Sequence, residues 1–192
     1  MIEVNRFDLF PTSVLSFSIP EKVAKEWETK LKEVIEEHWQ PERVPIHRQT
    51  DSKLHLNPKS KKFVQWIEHC LDSVAKEFNY NLSTGQIQGM WATRLRKYGD
   101  HPVHSHPDSV LSGVYYVNEL TEGVGSLYFI DPRPAAHVVT DFSTDPNPAA
   151  KQQFMVTPQQ GTLYIFPSWL WHGVTQNLSD SERISISFDF RI

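Results

Sequence analysis

Residues Trp91 to Val117, WATRLRKYGDHPVHSHPDSVLSGVYYV, set three histidines and an aspartate, His101, His104, His106 and Asp108, directly before a run of strand-forming residues. Side chains two positions apart on extended backbone point to the same side. His104 with His106, or His106 with Asp108, could therefore grip one metal ion. A facing pair does not fill a metal site, so a further ligand is expected from a distant strand, and His172 in FPSWLWHGV is the best candidate. Downstream, Arg183 opens RISISFDF, a second alternating segment. Two imidazoles and a carboxylate on one face, with open positions beside them, suit non-haem Fe(II), and an arginine close by suits a carboxylate-bearing cosubstrate.

Outward from this stretch the chain reads as strands and turns. From Gln86 to Ile192 the strand candidates are Ile87 to Tyr98, Val110 to Val117, Ser126 to Ile130, Val138 to Val139, Phe154 to Val156, Thr162 to Phe166, His172 to Thr175 and Arg183 to Arg191. Two helical patterns precede them. In Glu21 to His38, behind Pro20, the apolar positions Val23, Ala24, Trp27, Leu31, Val34 and Ile35 recur every three or four residues. Lys61 to Phe78 repeats the pattern with Phe63, Val64, Ile67, Leu71, Val74, Ala75 and Phe78. Residues 2 to 19 read as one or two edge strands broken by Pro11. Residues 40 to 60 read as a polar, proline-containing loop whose histidines, His47 and His55, are expected to be solvated. The loop Asp131 to Ala150 is long for a hairpin and suggests a lid or a substrate-facing role. Helices followed by many short strands imply a mainly β fold: a double-sheet jelly roll with two N-terminal helices packed on one sheet. The expected organisation is one domain over 1–192, with 1–80 as helical support and 86–192 as the jelly-roll core.

The 192 residues suffice for a sizeable core, and 39% hydrophobic with 22% charged residues is the balance of an ordinary globular chain. A formal net charge of −4 argues against nucleic acid as an obligatory partner. Cys70 is the only cysteine, which excludes an intrachain disulfide and favours a reducing compartment. Its place in the helical pattern makes it a small packed side chain. The N-terminus lacks a basic segment followed by an apolar run, and no stretch approaches a membrane span. Cytoplasmic residence is the resulting expectation.

His106 with Asp108, then His172, then Arg183 with Ser185, resemble the Fe(II)/2-oxoglutarate-dependent oxygenases, whose pattern is His-x-Asp, a distal His and a downstream Arg-x-Ser. HSHPDSVLSGVYYV, GSLYFIDPRP, TPQQGTLYIFPSWLWHGV and RISISF are similar to oxygenases of this class found in marine bacteria and their phages. The resemblance covers roughly the C-terminal half. It implies a dioxygenase that turns 2-oxoglutarate and O₂ into succinate and CO₂ while hydroxylating a substrate the sequence does not identify. It also implies Fe(II) on His106, Asp108 and His172, with no catalytic residue beyond these ligands, and 2-oxoglutarate on Arg183 and Ser185. In the closer group the segment reads His-x-His-Pro, which makes His104 the alternative to Asp108. Asp108 is preferred because a carboxylate lowers the net charge of the site. His101 and His137 read as surface residues.

Two other functions compete: a cupin-like metal enzyme using three histidines without 2-oxoglutarate, and a non-catalytic jelly-roll binding module. Arg183-Ile184-Ser185 separates the first reading from both, since neither needs a cation held for a keto-diacid.

Overall fold

The computed structural model describes residues 11–133 and 152–192. The expected strand at Val138 to Val139, most of the 131–150 loop and His137 lie outside the described residues. Two helices and ten strands run in the order β1 (Leu15–Ser18), α1 (Glu21–His38), β2 (His47–Gln49), α2 (Lys61–Phe78), β3 (Gln86–Leu95), β4 (His101–His104), β5 (Leu111–Tyr116), β6 (Leu127–Ile130), β7 (Gln153–Val156), β8 (Thr162–Pro167), β9 (His172–Val174) and β10 (Arg183–Arg191). The strands form a six-stranded sheet, β1-β8-β5-β10-β3-β2, and a four-stranded sheet, β4-β9-β6-β7, antiparallel throughout. This is the jelly-roll arrangement anticipated from the strand pattern.

The core lies between the larger sheet and the helices. Alternation along β10 sends Ile184, Ile186, Phe188 and Phe190 toward the helices, where they join Leu31, Val34 and Ile35 of α1 and Phe63, Ile67, Leu71 and Val74 of α2 in one apolar cluster. Each fully buried side chain of this size contributes about 1.5–3 kcal/mol, which explains why helices of ordinary propensity stay docked. Cys70 belongs to the same cluster, and burial pushes its thiol up to about 11, away from nucleophilic chemistry. α2 stops at Asn79, whose left-handed conformation (φ 54°) turns its N–H back to the Ala75 and Lys76 carbonyls.

The 40–60 segment is more ordered than a polar loop. It holds β2 at the edge of the larger sheet and two short 3₁₀ turns, Leu54–Leu56 and Pro58–Ser60, with Leu54 fully buried. Pairing decided this: His47 and Gln49 stand opposite Leu95 and Thr93 of β3, a long-range contact that local composition does not encode. His47 is thereby only half exposed.

Gly113 of β5 lies directly opposite Phe188 of β10, and a Cβ there would run into the buried Phe188 ring. The Gly113→Ala variant is expected to lose about 1–3 kcal/mol of stability in urea unfolding. Gly89→Ala, whose Cβ meets nothing nearer than the Ser52 Cβ at 3.4 Å, should stay within about 1 kcal/mol of the parent.

Candidate metal centre and anion pocket

The other face of β10 carries Arg183, Ser185, Ser187 and Asp189, and all four line a cavity between the two sheets. His101 and His104 of β4, His106, His172 of β9, and Trp91 and Thr93 of β3 line it too. Strand register places the histidines. His104 and His172 are direct cross-strand partners with ring centroids 4.3 Å apart. His106 follows β4 with its N–H donated to the Ser168 carbonyl at 2.9 Å, and its ring stacks on His172 at 5.3 Å and 10°. Ligating atoms of His104, His106 and His172 all lie within 4.8 Å of one another, the one grouping of this kind among the described residues.

The hydrogen bonds of these rings fit them for a metal. Nδ1 of His104 donates to the Pro102 carbonyl (2.8 Å), Nδ1 of His172 to the Leu170 carbonyl (2.8 Å), and Nδ1 of His106 to the Asp189 carboxylate (3.0 Å). With the proton fixed on Nδ1 in each ring, the Nε2 lone pair is left for coordination. Burial depresses His104 below the usual imidazole range and His172 to about 4, so both rings stay neutral, the form that binds metal. Asp189 is itself held: its other oxygen accepts from the Ser112 hydroxyl at 2.7 Å, and Ser112 lies 2.8 Å from the Ser168 hydroxyl.

Arg183 stands at another part of the lining, 1% exposed. One guanidinium nitrogen, Nη1, donates to the Ser185 hydroxyl at 3.0 Å, while Nε and Nη2 are buried without a hydrogen-bond partner. The cation lies 5.0 Å from the ring centroid of Tyr116, whose phenol burial pushes up. A buried charge with two unused donors is costly unless an anion arrives, and a carboxylate meets that guanidinium in fork geometry.

Asp108 is not part of the histidine grouping. The backbone turns at Pro107–Asp108, with the Ser109 N–H donated to the His106 carbonyl at 3.2 Å, and Asp108 is exposed to solvent. β4 ends at His104, and the turn at Pro107–Asp108 breaks the extended backbone on which the same-side rule for residues two apart depends. The alternative residue, His104, does converge with His106 and His172. Arg183 and Ser185 share the cavity as the alternation of RISISFDF anticipated. Asp189, not singled out from sequence, lies on the same face of that alternation and was within reach of the same rule. His101 is not a surface residue: it lines the cavity, and burial pulls its ring down to about 3.

A family model described as "Putative 2OG-Fe(II) oxygenase" matches residues 89–189. No curated protein sequence matches the chain significantly. Among solved structures, HygX from Streptomyces hygroscopicus, with nickel, 2-oxoglutarate and hygromycin B bound, superposes with a TM-score of 0.67 at 12% identity, covering 94% of this chain and 83% of its own. A prolyl-4-hydroxylase from Pseudomonas putida gives 0.61 at 17% identity over 96% and 95%. The epimerase SnoN from nogalamycin biosynthesis gives 0.65 at 10% identity over 94% and 78%. These likenesses establish the fold.

Replacing Asp189 by Asn removes the charge behind His106 and should weaken divalent-metal affinity about 10–100-fold, as read by Co(II) titration of the metal-free protein. In the same titration Asp108→Ala should match the parent. A large loss there would return Asp108 to the ligand set.

Proposed function

This chain belongs to the 2OG-Fe(II) oxygenase family, and from that premise we propose that it holds Fe(II) on His104, His106 and His172 and hydroxylates its substrate at a 2-oxoglutarate-dependent site. The carrying observation is the buried guanidinium of Arg183, with two unused donors on the cavity that the three imidazoles share.

Fe(II) bound here would supply the oxidation of 2-oxoglutarate by O₂ to succinate and CO₂, with the second oxygen atom passing to the substrate. The chain's own residues set the conditions. His104, His106 and His172 would hold the ion from one side and leave the rest of its surroundings to the cosubstrate. Because all three are neutral in the binding form, charge balance falls to Asp189, behind His106, and to the two carboxylates of the cosubstrate. Arg183 would pair with the distal carboxylate through Nε and Nη2. The Ser185 hydroxyl, which accepts from Arg183, keeps its own proton to donate to the same group. Enclosure between the sheets strengthens these interactions by excluding water.

Arg183 is also what sets this function apart from a three-histidine enzyme that ignores 2-oxoglutarate and from a binding module, neither of which accounts for an unpaired buried cation. Family membership makes O₂ and a substrate the partners. Among the described residues no helix is long and apolar enough to cross a membrane. With a single cysteine, buried, the chain suits a reducing compartment, and we place the enzyme in the cytoplasm.

Anaerobic addition of Fe(II) and 2-oxoglutarate should produce a weak visible charge-transfer band. Arg183→Ala should raise the 2-oxoglutarate concentration needed for it about 100-fold or more, since charge-assisted hydrogen bonds contribute about 1.5–3 kcal/mol each. Absence of the band with the parent protein at saturating 2-oxoglutarate would refute the assignment.

A further inference from the structure

β4 is not a regular strand. His101 lies opposite Val174 and His104 opposite His172, with a register irregularity between the two pairs. Residues three apart on regular extended backbone point to opposite faces. Here both rings turn inward, 4.6 Å apart by centroid, and both line the cavity. Such irregularities re-aim a side chain beside a functional site. The inward turn of His101 is therefore a feature the local backbone departs from its ladder to achieve.

The ring also has a defined seat. His47 of β2 meets it edge-on at 5.2 Å and 77°, so an imidazole pair spans the gap between an edge strand of the larger sheet and an edge strand of the smaller. Across the larger sheet, His47 pairs with Leu95 and Leu95 with Arg183, which places His47 and Arg183 in one cross-strand row. In the smaller sheet His101 shares its row with Val174 and Leu127. Leu95, Val174 and Leu127, the other cavity-lining members of these two rows, are apolar. Arg183 and His101 are thus the polar side chains that this tier offers the cavity, and neither ring nitrogen of His101 has a hydrogen-bond partner among the described residues.

A carboxylate accepts about four hydrogen bonds. Nε and Nη2 of Arg183 and the Ser185 hydroxyl can supply three, which leaves one lone pair for a further donor such as the inward-facing His101 ring. We propose that His101 is a further cosubstrate-binding residue, its imidazole N–H donating to the distal carboxylate of 2-oxoglutarate while His47 fixes the plane of its ring. The assignment rests on the 2-oxoglutarate reading of the site given above.

The test is an anaerobic 2-oxoglutarate titration of the Fe(II)-loaded full chain, followed by its visible band, with Co(II) affinity of the metal-free protein measured alongside. His101→Phe keeps a flat ring against His47 and His104 but has no N–H, whereas His101→Gln keeps a donor. The Phe variant should bind 2-oxoglutarate about 10-fold or more weakly, the Gln variant within about 3-fold of the parent, and Co(II) affinity should hold in both. A Phe variant within about 2-fold of the parent would overturn the proposal. So would a Gln variant as weak as Phe, or a parallel loss of Co(II) affinity, which would mark His101 as a support of the metal site. A parent that shows no 2-oxoglutarate binding removes the underlying assignment as well, and is told apart because it appears before any substitution is made.

Discussion

The strict two-residue alternation of β10 is the constraint on which the rest depends. Its even-numbered residues, Ile184, Ile186, Phe188 and Phe190, are buried under two helices, while its odd-numbered residues, Arg183, Ser185, Ser187 and Asp189, face the space between the sheets. A slip of one residue would put a guanidinium and a carboxylate into the apolar cluster, at a cost of several kcal/mol each. Helix docking, strand register and the polar content of the cavity are therefore aspects of a single choice. Membership in the oxygenase family rests on residues 89–189, the part of the chain this strand ties together.

The cavity illustrates how a site is kept ready at some expense to the fold. Arg183 is buried with donors unused, and Tyr116 beneath it has a buried hydroxyl with no partner. Neighbours that gave Arg183 a permanent carboxylate would relieve that cost and would also compete with a cosubstrate. Among the described residues no salt bridge reaches Arg183, whereas Arg94, on the opposite face of β3, and Arg96, just past its end, are both paired with Glu42 and Glu182. The contrast follows the two faces of the larger sheet: outer cations are neutralised, the inner one is kept open.

The imidazoles show a related economy. Each of His104, His106 and His172 spends its Nδ1 proton on a fixed acceptor, two of them backbone carbonyls only two residues away along the chain. Those local bonds set the tautomer without any distant partner. His106 departs from the pattern by using Asp189, so the carboxylate that, among the described residues, contacts the histidines comes from the strand that also carries Arg183. The candidate metal site and the candidate anion site thereby share a backbone, and a shift of β10 would disturb both.

Sequence alone determined the periodic features. Helical spacing in 21–38 and 61–78, alternation in RISISFDF and the order His, distal His, Arg-x-Ser were all legible, because they are local patterns or motifs whose chemistry demands those residue types. Asp189 was legible by the same alternation. What tertiary structure decided were the places where local rules stop. Asp108 would obey the same-side rule only on extended backbone, but β4 ends at His104 and a turn follows at Pro107–Asp108. His101 faces inward only because β4 is irregular. His47 became a strand residue only because β3 was there to pair with it. Turns, irregularities and edge pairings are settled by contacts between residues far apart in the chain, and those contacts set His104 beside His106 and His172 while Asp108 stays exposed.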